Sequence, residues 1–208
     1  MKNIEILHED DISIIINKPA GLPVQGGAGV KVSLDKLLAE MHPAHLLVHR
    51  LDKDTSGVLL VAKGREAAAR FSRLLKKAGK VYTAVCAGCP KEGQGIISED
   101  LLIQGQTKKS QTKYKVIKTG TLSGAGEYSV MELELETGRM HQIRRHLAMK
   151  GNPVLGDDKY GDFPLNKRLR KSAGLKRLLL HASRLVIDEL NLDITAPLPE
   201  YFTPYVDQ

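Results

Sequence analysis

Apolar residues recur along this chain in two rhythms, one of strands and one of helices. Ile4 to Asn17 holds two short apolar runs, the second from Ile12 to Ile16, split by His8-Glu9-Asp10-Asp11. This is the pattern of a strand, a turn and a buried strand. Lys18-Pro19-Ala20-Gly21-Leu22-Pro23 breaks it. Ser33 is placed to N-cap a helix with Leu34, Leu37, Leu38 and Met41 at helical spacing, and Pro43 to stop it. Leu46–Val48 and Val58–Ala62 read as strands that frame a polar loop, His49 to Gly57. Gly64 to Ala78 predicts a helix with Ala67, Phe71, Leu74, Leu75 and Ala78 on one face, ended by Gly79, and Lys80 to Cys86 the next strand.

From Glu92 to Gly126 the chain is rich in Gly, Gln, Ser and Thr, with strand character only at Thr112 to Ile117. Val130 to Glu136 alternates cleanly, Met131, Leu133 and Leu135 against Glu132, Glu134 and Glu136, as a half-buried strand does. Thr137-Gly138 leads into a helix from Arg139 to Lys150, closed by Gly151. A glycine-rich loop to Gly161 and a basic segment of little apolar periodicity come next. Leu178–Ala182 and Arg184–Ile187 read as further strands, and Pro197, Pro199 and Pro204 mark an irregular tail. Strands scattered among few helices, with no regular strand-helix alternation, predict an α+β fold around a mixed, mostly antiparallel sheet. The absence of repeats or a long linker predicts one domain over residues 1–208.

Composition narrows the class. Charged residues make up 26% and hydrophobic residues 42%, which is ordinary for a packed domain. No apolar run approaches the roughly 18 residues that span a bilayer, and the N-terminus carries acid where a secretory signal is apolar, so a cytoplasmic protein is expected. Cys86 and Cys89 form a single C-x-x-C with no second pair, which favours structural thiols over zinc or redox chemistry. The net charge of +7 is concentrated in two patches. One runs from Lys63 to Lys80 and the other from Lys167 to Arg177. Both suit phosphate contacts, and both also suit a solvated surface.

Two segments carry chemistry. His49-Arg50-Leu51-Asp52-Lys53-Asp54-Thr55-Ser56-Gly57 is a polar loop between buried strands, where functional groups are usually presented, although a plain surface turn has the same pattern. Asp52 and Asp54 at i, i+2 are too close in sequence to be set across a sugar as a glycosidase pair by spacing alone. In the helix after Gly138, Met140, Ile143, Leu147 and Ala148 form an apolar arc, and Arg144 falls inside it. A guanidinium cannot shed its proton, so an inward arginine demands an anionic partner, for which Asp52 is the candidate, unless it snorkels outward. His141 and Arg145 lie beside the arc, placed either to meet a phosphate or to be solvated.

These segments resemble the RluA family of pseudouridine synthases over nearly the whole chain. Lys18-Pro19-Ala20-Gly21-Leu22-Pro23-Val24 is similar to its first motif, and residues 49–57 match the active-site signature without an identified departure. Lys80-Val81-Tyr82-Thr83-Ala84 resembles the strand that supplies the active-site tyrosine, and Leu135 to His146 resembles the third motif. Gly156-Asp157-Asp158-Lys159-Tyr160-Gly161 and Leu179-Leu180-His181-Ala182 agree as well. The resemblance implies a pseudouridine synthase fold with a central RNA-binding cleft, and isomerisation of uridine in rRNA or tRNA stem-loops without a cofactor, metal or membrane, by a protein expected to be monomeric. It implies Asp52 as nucleophile, Tyr82 stacked on the flipped base and Arg144 beside the carboxylate. Arg50 would brace the vacated position, Ile143 would wall the uracil, and His49, Thr55, His141 and Arg139 would contact substrate. Many relatives carry an N-terminal S4 RNA-binding domain, whereas the first catalytic strand is expected here almost at Met1. The alternative is a non-catalytic RNA-binding or ribosome-assembly factor. Such a relative is expected to have lost Asp52, Tyr82 or Arg144, and all three are present.

Overall fold

The computed structural model describes residues 4–27, 29–41, 44–122 and 126–207. The chain divides into two compact units, residues 1–80 with 182–198, and residues 81–181 with 199–208.

The first unit is built on β1 (Glu5–Glu9), β2 (Ser13–Lys18), β3 (His45–Leu47) and β4 (Ser56–Lys63), with helices α1 (Leu34–Met41) and α2 (Arg65–Leu74). β1 pairs with β2, and β2 with β4, both antiparallel. β3 pairs antiparallel with the far end of β4. The runs Ile14-Ile15-Ile16 and Val58-Leu59-Leu60-Val61-Ala62 are buried on both faces, which is why neither shows alternation. Phe71, Ala67 and Leu75 of the α2 region pack on Ile15, Leu60 and Ala62. Each such large side chain removed from water contributes about 1.5–3 kcal/mol. α2 ends earlier than its periodicity suggests. Leu75 closes it, and Lys76 to Ala78 turn back through hydrogen bonds to Arg73 and Leu74 carbonyls. Pro43, expected to stop α1, lies outside the described residues.

The second unit contains most of β5 (Gly79–Ala87), then β6 (Gln94–Ile97), β7 (Leu101–Ile103), β8 (Gln106–Lys108), β9 (Thr112–Leu122), β10 (Gly126–Leu135), α3 (Gln142–Met149) and α4 (Phe163–Ser172). β10 lies between β5 and β9, and β9 takes β6 on its other side, all antiparallel. Met131 and Leu133 point into the core while Glu132 and Glu134 face water, as the alternation requires. β7 and β8 form a separate hairpin turned at Gln104-Gly105, both at positive φ. The Gly/Gln/Ser/Thr-rich stretch thus holds three short strands that its polarity concealed.

One strand, β11 (Leu180–Ile187), replaces the two expected between Leu178 and Ile187. It begins in the second unit and continues into the first, where β12 (Leu192–Thr195) pairs with it. The proline-marked tail ends in α5 (Thr203–Val206), and Phe202 and Tyr205 join the second unit's core. The pairings named above, within the described residues, are antiparallel, and helices are few, as the α+β reading expects.

Candidate active site

The polar loop of the first unit is seated by a lysine. Lys18, at the end of β2, has no exposed surface. Its Nζ donates to three backbone carbonyls, those of Pro19, Leu22 and Lys53, each at 3.0 Å. An ammonium has three donors, so all are used. Gly21 N–H also donates to Lys53 O at 2.9 Å, and Thr55 N–H to Asp52 O at 3.2 Å. The segment carrying Asp52 is therefore tied to the chain after β2 and folded on itself. Burial pulls the Lys18 pKa down to about 8, against the opposing charges of Asp54 and Asp52. A cation and the expected nucleophile thus share one electrostatic neighbourhood. Sequence reasoning placed Lys18 within a motif and gave it no role, because a lysine at a strand end looks solvated until the strand is known to be interior.

Leu51 and Thr55 are buried on either side of half-buried Asp52. Thr55, expected to contact substrate, is 2% exposed. Arg50 is exposed, and its guanidinium donates to Gln25 Oε1 at 3.3 Å. His49 accepts the Leu60 N–H on Nε2 at 2.9 Å, two residues beyond the end of β3. Burial, with the Lys80 charge adding to it, lowers its pKa to about 4. Neutral and occupied on that nitrogen, His49 holds β4 rather than offering a cation to phosphate. Gly57, which closes the loop, has φ +113 and faces the Ala182 backbone so closely that no Cβ fits.

In the second unit the inward arginine is confirmed. Arg144 is 6% exposed. One anion that grips it is Asp157, which the sequence offered only within a motif and not as a partner of Arg144. Nε donates to Asp157 Oδ2 and Nη2 to Oδ1, both at 2.7 Å, the two-pronged geometry in which guanidinium and carboxylate bind most strongly. Nη2 also reaches Asp158 Oδ1 at 3.3 Å, and the guanidinium lies 5.3 Å from the Tyr160 ring centre. Burial pushes the Asp157 carboxyl pKa up, but hydrogen bonds from Arg144 and from the N–H groups of Tyr160 and Lys159 outweigh it and hold the value below normal. The signal for Asp157 was present in Gly156-Asp157-Asp158-Lys159-Tyr160-Gly161, yet a loop thirteen residues further on offers no periodicity that aims it at the helix.

α3 begins at Gln142, not at Arg139, because Gln142 Oε1 accepts from Thr137 Oγ1 at 2.7 Å and from Arg139 N–H at 3.0 Å, bracing the preceding loop. Met140 consequently lies outside the helix, 55% exposed, and not on its apolar arc. His141 takes a positive φ of 53 at the N-cap and pairs Nδ1 with the Tyr160 hydroxyl at 3.0 Å. Ile143 is buried in the core. Exposed Arg139 donates to Lys109 O at 3.2 Å, and Arg145 to Leu102 O at 3.1 Å, so each holds the β7–β8 hairpin segment. His146, fully buried, joins the same segment through Ser110 and the Glu99 carbonyl. Tyr82 is half-buried on β5 opposite Leu133, packed against the core. Cys86 is a buried free thiol whose pKa burial raises, and Cys89 donates weakly to Tyr128 O. A groove of about 330 Å³ on the outer face of β6, β9 and β10 is lined by none of the motif residues.

In the first unit a half-buried carboxylate stands on a loop that a buried lysine ties down, and in the second a guanidinium is clamped on a helix. The chain matches the family model described as RNA pseudouridylate synthase over residues 12–149. It is 33% identical to the ribosomal large subunit pseudouridine synthase C of Buchnera aphidicola, over 97% of this chain and 69% of the relative. To the protein of the same name from Rickettsia bellii it is 35% identical, over 95% and 69%. Human RNA pseudouridylate synthase domain containing 4 superposes with a TM-score of 0.78 at 28% identity, covering 96% of this chain and 90% of that one. Human RNA pseudouridylate synthase domain containing 1 gives 0.79 at 27% identity, covering 94% and 84%.

The chain belongs to the RNA pseudouridylate synthase family. It is an RNA pseudouridine synthase, an isomerase that converts uridine to pseudouridine in RNA. Among the described residues no helix is long and apolar enough to cross a membrane.

Proposed function

We propose that Asp52 is the nucleophile of this isomerisation, that Tyr82 and Arg144 serve the same reaction, and that the substrate is structured ribosomal RNA of the large subunit. The observation that carries the reading is the seating of the Asp52 loop. Lys18 fixes Lys53 O, the carbonyl next to Asp52, and its ammonium feels the Asp52 charge. Isomerisation breaks the uridine N1–C1′ bond, turns the base and joins C5 to C1′. The proton leaves C5 and one is gained at N1, so atoms and electrons balance without a redox partner. Routes through the ribose carbon, the uracil ring or a glycal-like intermediate all begin at the same carboxylate.

A uridine in folded RNA must leave its stack to be reached, and Tyr82 offers a flat ring for the extruded base. Exposed Arg50 is suited to fill or brace the vacated position. Arg144 serves as a fixed positive charge, since a guanidinium gripped by Asp157 cannot swing away. Ile143 walls the base, with His141 and Arg139 at the margin and Thr55 and His49 shaping the loop from within. Both units work as one catalytic domain, in a cytoplasmic monomer that needs no cofactor. The ribosomal target follows the names of the relatives, with tRNA as the competing target.

The test maps pseudouridine by carbodiimide-dependent reverse-transcription stops across rRNA and tRNA, in cells lacking the endogenous protein and complemented with wild type or Asp52→Asn. A large-subunit rRNA stop that wild type restores and Asp52→Asn does not is the expected outcome. A wild-type-dependent stop that persists with Asp52→Asn removes Asp52 from the chemistry, and one found only in tRNA removes the ribosomal target.

A further inference from the structure

We propose that the outer face of α4 docks the phosphate backbone of the substrate RNA, through Lys167, Arg168, Arg170 and Lys171. The inference rests on the RNA-modifying reading above and adds to it an element that no motif includes. Residues 163–187 hold seven of the chain's 31 Lys and Arg and none of its 24 Asp and Glu, so the remainder of the chain is balanced. The other basic run, from Lys63 to Lys80, is interrupted by an acid, Glu66.

The helix orders that charge. At about 100° per residue, Leu165, Asn166 and Leu169 fall on one side, and all three are buried. The four cations fall on the opposite arc, and all are exposed. Among the described residues none of the four has a carboxylate partner. A merely solvated helix gains from acids at i+3 and i+4, whereas here Lys167 faces Arg170 and Lys171, and Arg168 faces Lys171, all like-charge pairs that weaken an isolated helix. Cations favour the last turn of a helix dipole, but that covers only Arg170 and Lys171. A polyanion lying across the face relieves all of the repulsion at once and releases counterions.

The helix is also fastened to the catalytic machinery of its own unit. Asp162 caps it by accepting from Leu165 N–H at 2.9 Å, and Pro164 lies in its first turn. Asn166 accepts from Gly156 N–H and donates to Asp157 O, both at 2.9 Å. A Cβ on Gly161 would collide with the same Asp157 carbonyl and with Asn166. The element offering the cations is thus bolted to the residue that grips Arg144. RNA held on α4 is held at a fixed place relative to that guanidinium, which a mobile basic tail does not achieve. The basic run around α2 includes an acid, Glu66, in the first turn of the helix.

The test replaces Lys167, Arg168, Arg170 and Lys171 together by Gln, and compares a variant with Arg70, Arg73, Lys76 and Lys77 replaced by Gln, which removes the same charge. Binding of a large-subunit rRNA transcript is measured by filter retention from about 50 to about 300 mM salt. The α4 variant is expected to bind at least about tenfold more weakly at about 150 mM salt, with a log–log salt slope shallower by about 2 to 4, since each lost phosphate contact removes roughly 0.7–0.9. Steady-state turnover should show the loss in KM. If circular dichroism shows the fourfold variant misfolded, Arg168→Gln with Lys171→Gln should give about half the change in slope. Unaltered affinity and slope, or an equal loss from the α2 variant, overturns the proposal. Wild type that binds the transcript but forms no pseudouridine in any RNA would instead overturn the catalytic reading, so the two failures are distinguishable.

Discussion

Replacing Asp157 with Asn isolates what the buried arginine requires. The two side chains are 7% and 1% exposed, so the pair is removed from water almost completely. The introduced side chain can keep one carbonyl oxygen for the Lys159 and Tyr160 N–H groups that Oδ1 accepts at 2.9 Å. Its NH2 group, however, turns a donor toward Arg144 Nε and leaves the guanidinium charge in the interior without its forked partner. Removing one member of a buried pair costs about 3–5 kcal/mol. Asp158 stands 3.3 Å from Nη2, but its side chain is 72% exposed, so it compensates only in part and the loss should fall near the lower end, about 3 kcal/mol. Urea unfolding at neutral pH of wild type, Asp157→Asn, Arg144→Met and the double variant measures it. The double variant should be destabilised by at least about 1 kcal/mol less than the sum of the single changes, because the two side chains share one pair of hydrogen bonds. The folded Asp157 pKa lies below 3.8, so its stabilisation is present above that value and is lost as pH falls through the folded pKa. The gap between wild type and Asp157→Asn should therefore close in acid. A loss under about 1 kcal/mol, or strict additivity, would refute the reasoning.

Lys18→Met keeps the bulk but strands three carbonyls, and should cost about 1–3 kcal/mol and lower kcat, as urea unfolding and single-turnover rates would show; unchanged kcat with a stable fold would contradict the seating role. Gly57→Ala forces a side chain into φ +113 against the Ala182 backbone, and should lower stability by at least about 2 kcal/mol in thermal melts, so a wild-type Tm would contradict the packing described. The His49 pKa falls from 6.5 to about 4 on folding, so the unfolded chain holds this proton more tightly and stability drops as pH falls across that window. His49→Gln should flatten that limb of denaturant midpoint against pH, and an unaltered limb would show that His49 is not held neutral by the fold.

Strand rhythm was legible wherever one face met water, as in β10, and wherever a run was wholly apolar, as in β2 and β4. Short strands β6 to β8 were not, because Gln94, Gln106, Thr107 and Lys108 are exposed and bear no pattern that tertiary pairing needs. α4 escaped for another reason. Only Leu165 and Leu169 mark its buried face, and four cations drown that period, although Asp162 followed by Pro164 is a helix-start signature. In the site, the inward position of Arg144 followed from the spacing Ile143, Arg144, Leu147. The identity of Asp157 did not, because periodicity says that a charge is buried and not which loop returns to meet it. Lys18 was hidden by the same limit. Arg139 and Arg145 each donate to a backbone carbonyl of a hairpin segment that the sequence did not display, so no pattern in the chain announces these contacts.

The most direct measurement is tritium release from RNA carrying 5-tritiated uridine, which occurs only when C5 loses its proton on forming the new bond to C1′. Wild type and Asp52→Asn are compared at matched RNA occupancy, after circular dichroism and filter binding show both folded and bound. Wild type should release tritium in multiple turnovers, and Asp52→Asn should release none above the protein-free rate. Release by Asp52→Asn within about tenfold of wild type, a barrier change of only about 1.4 kcal/mol, would contradict a nucleophilic role for Asp52.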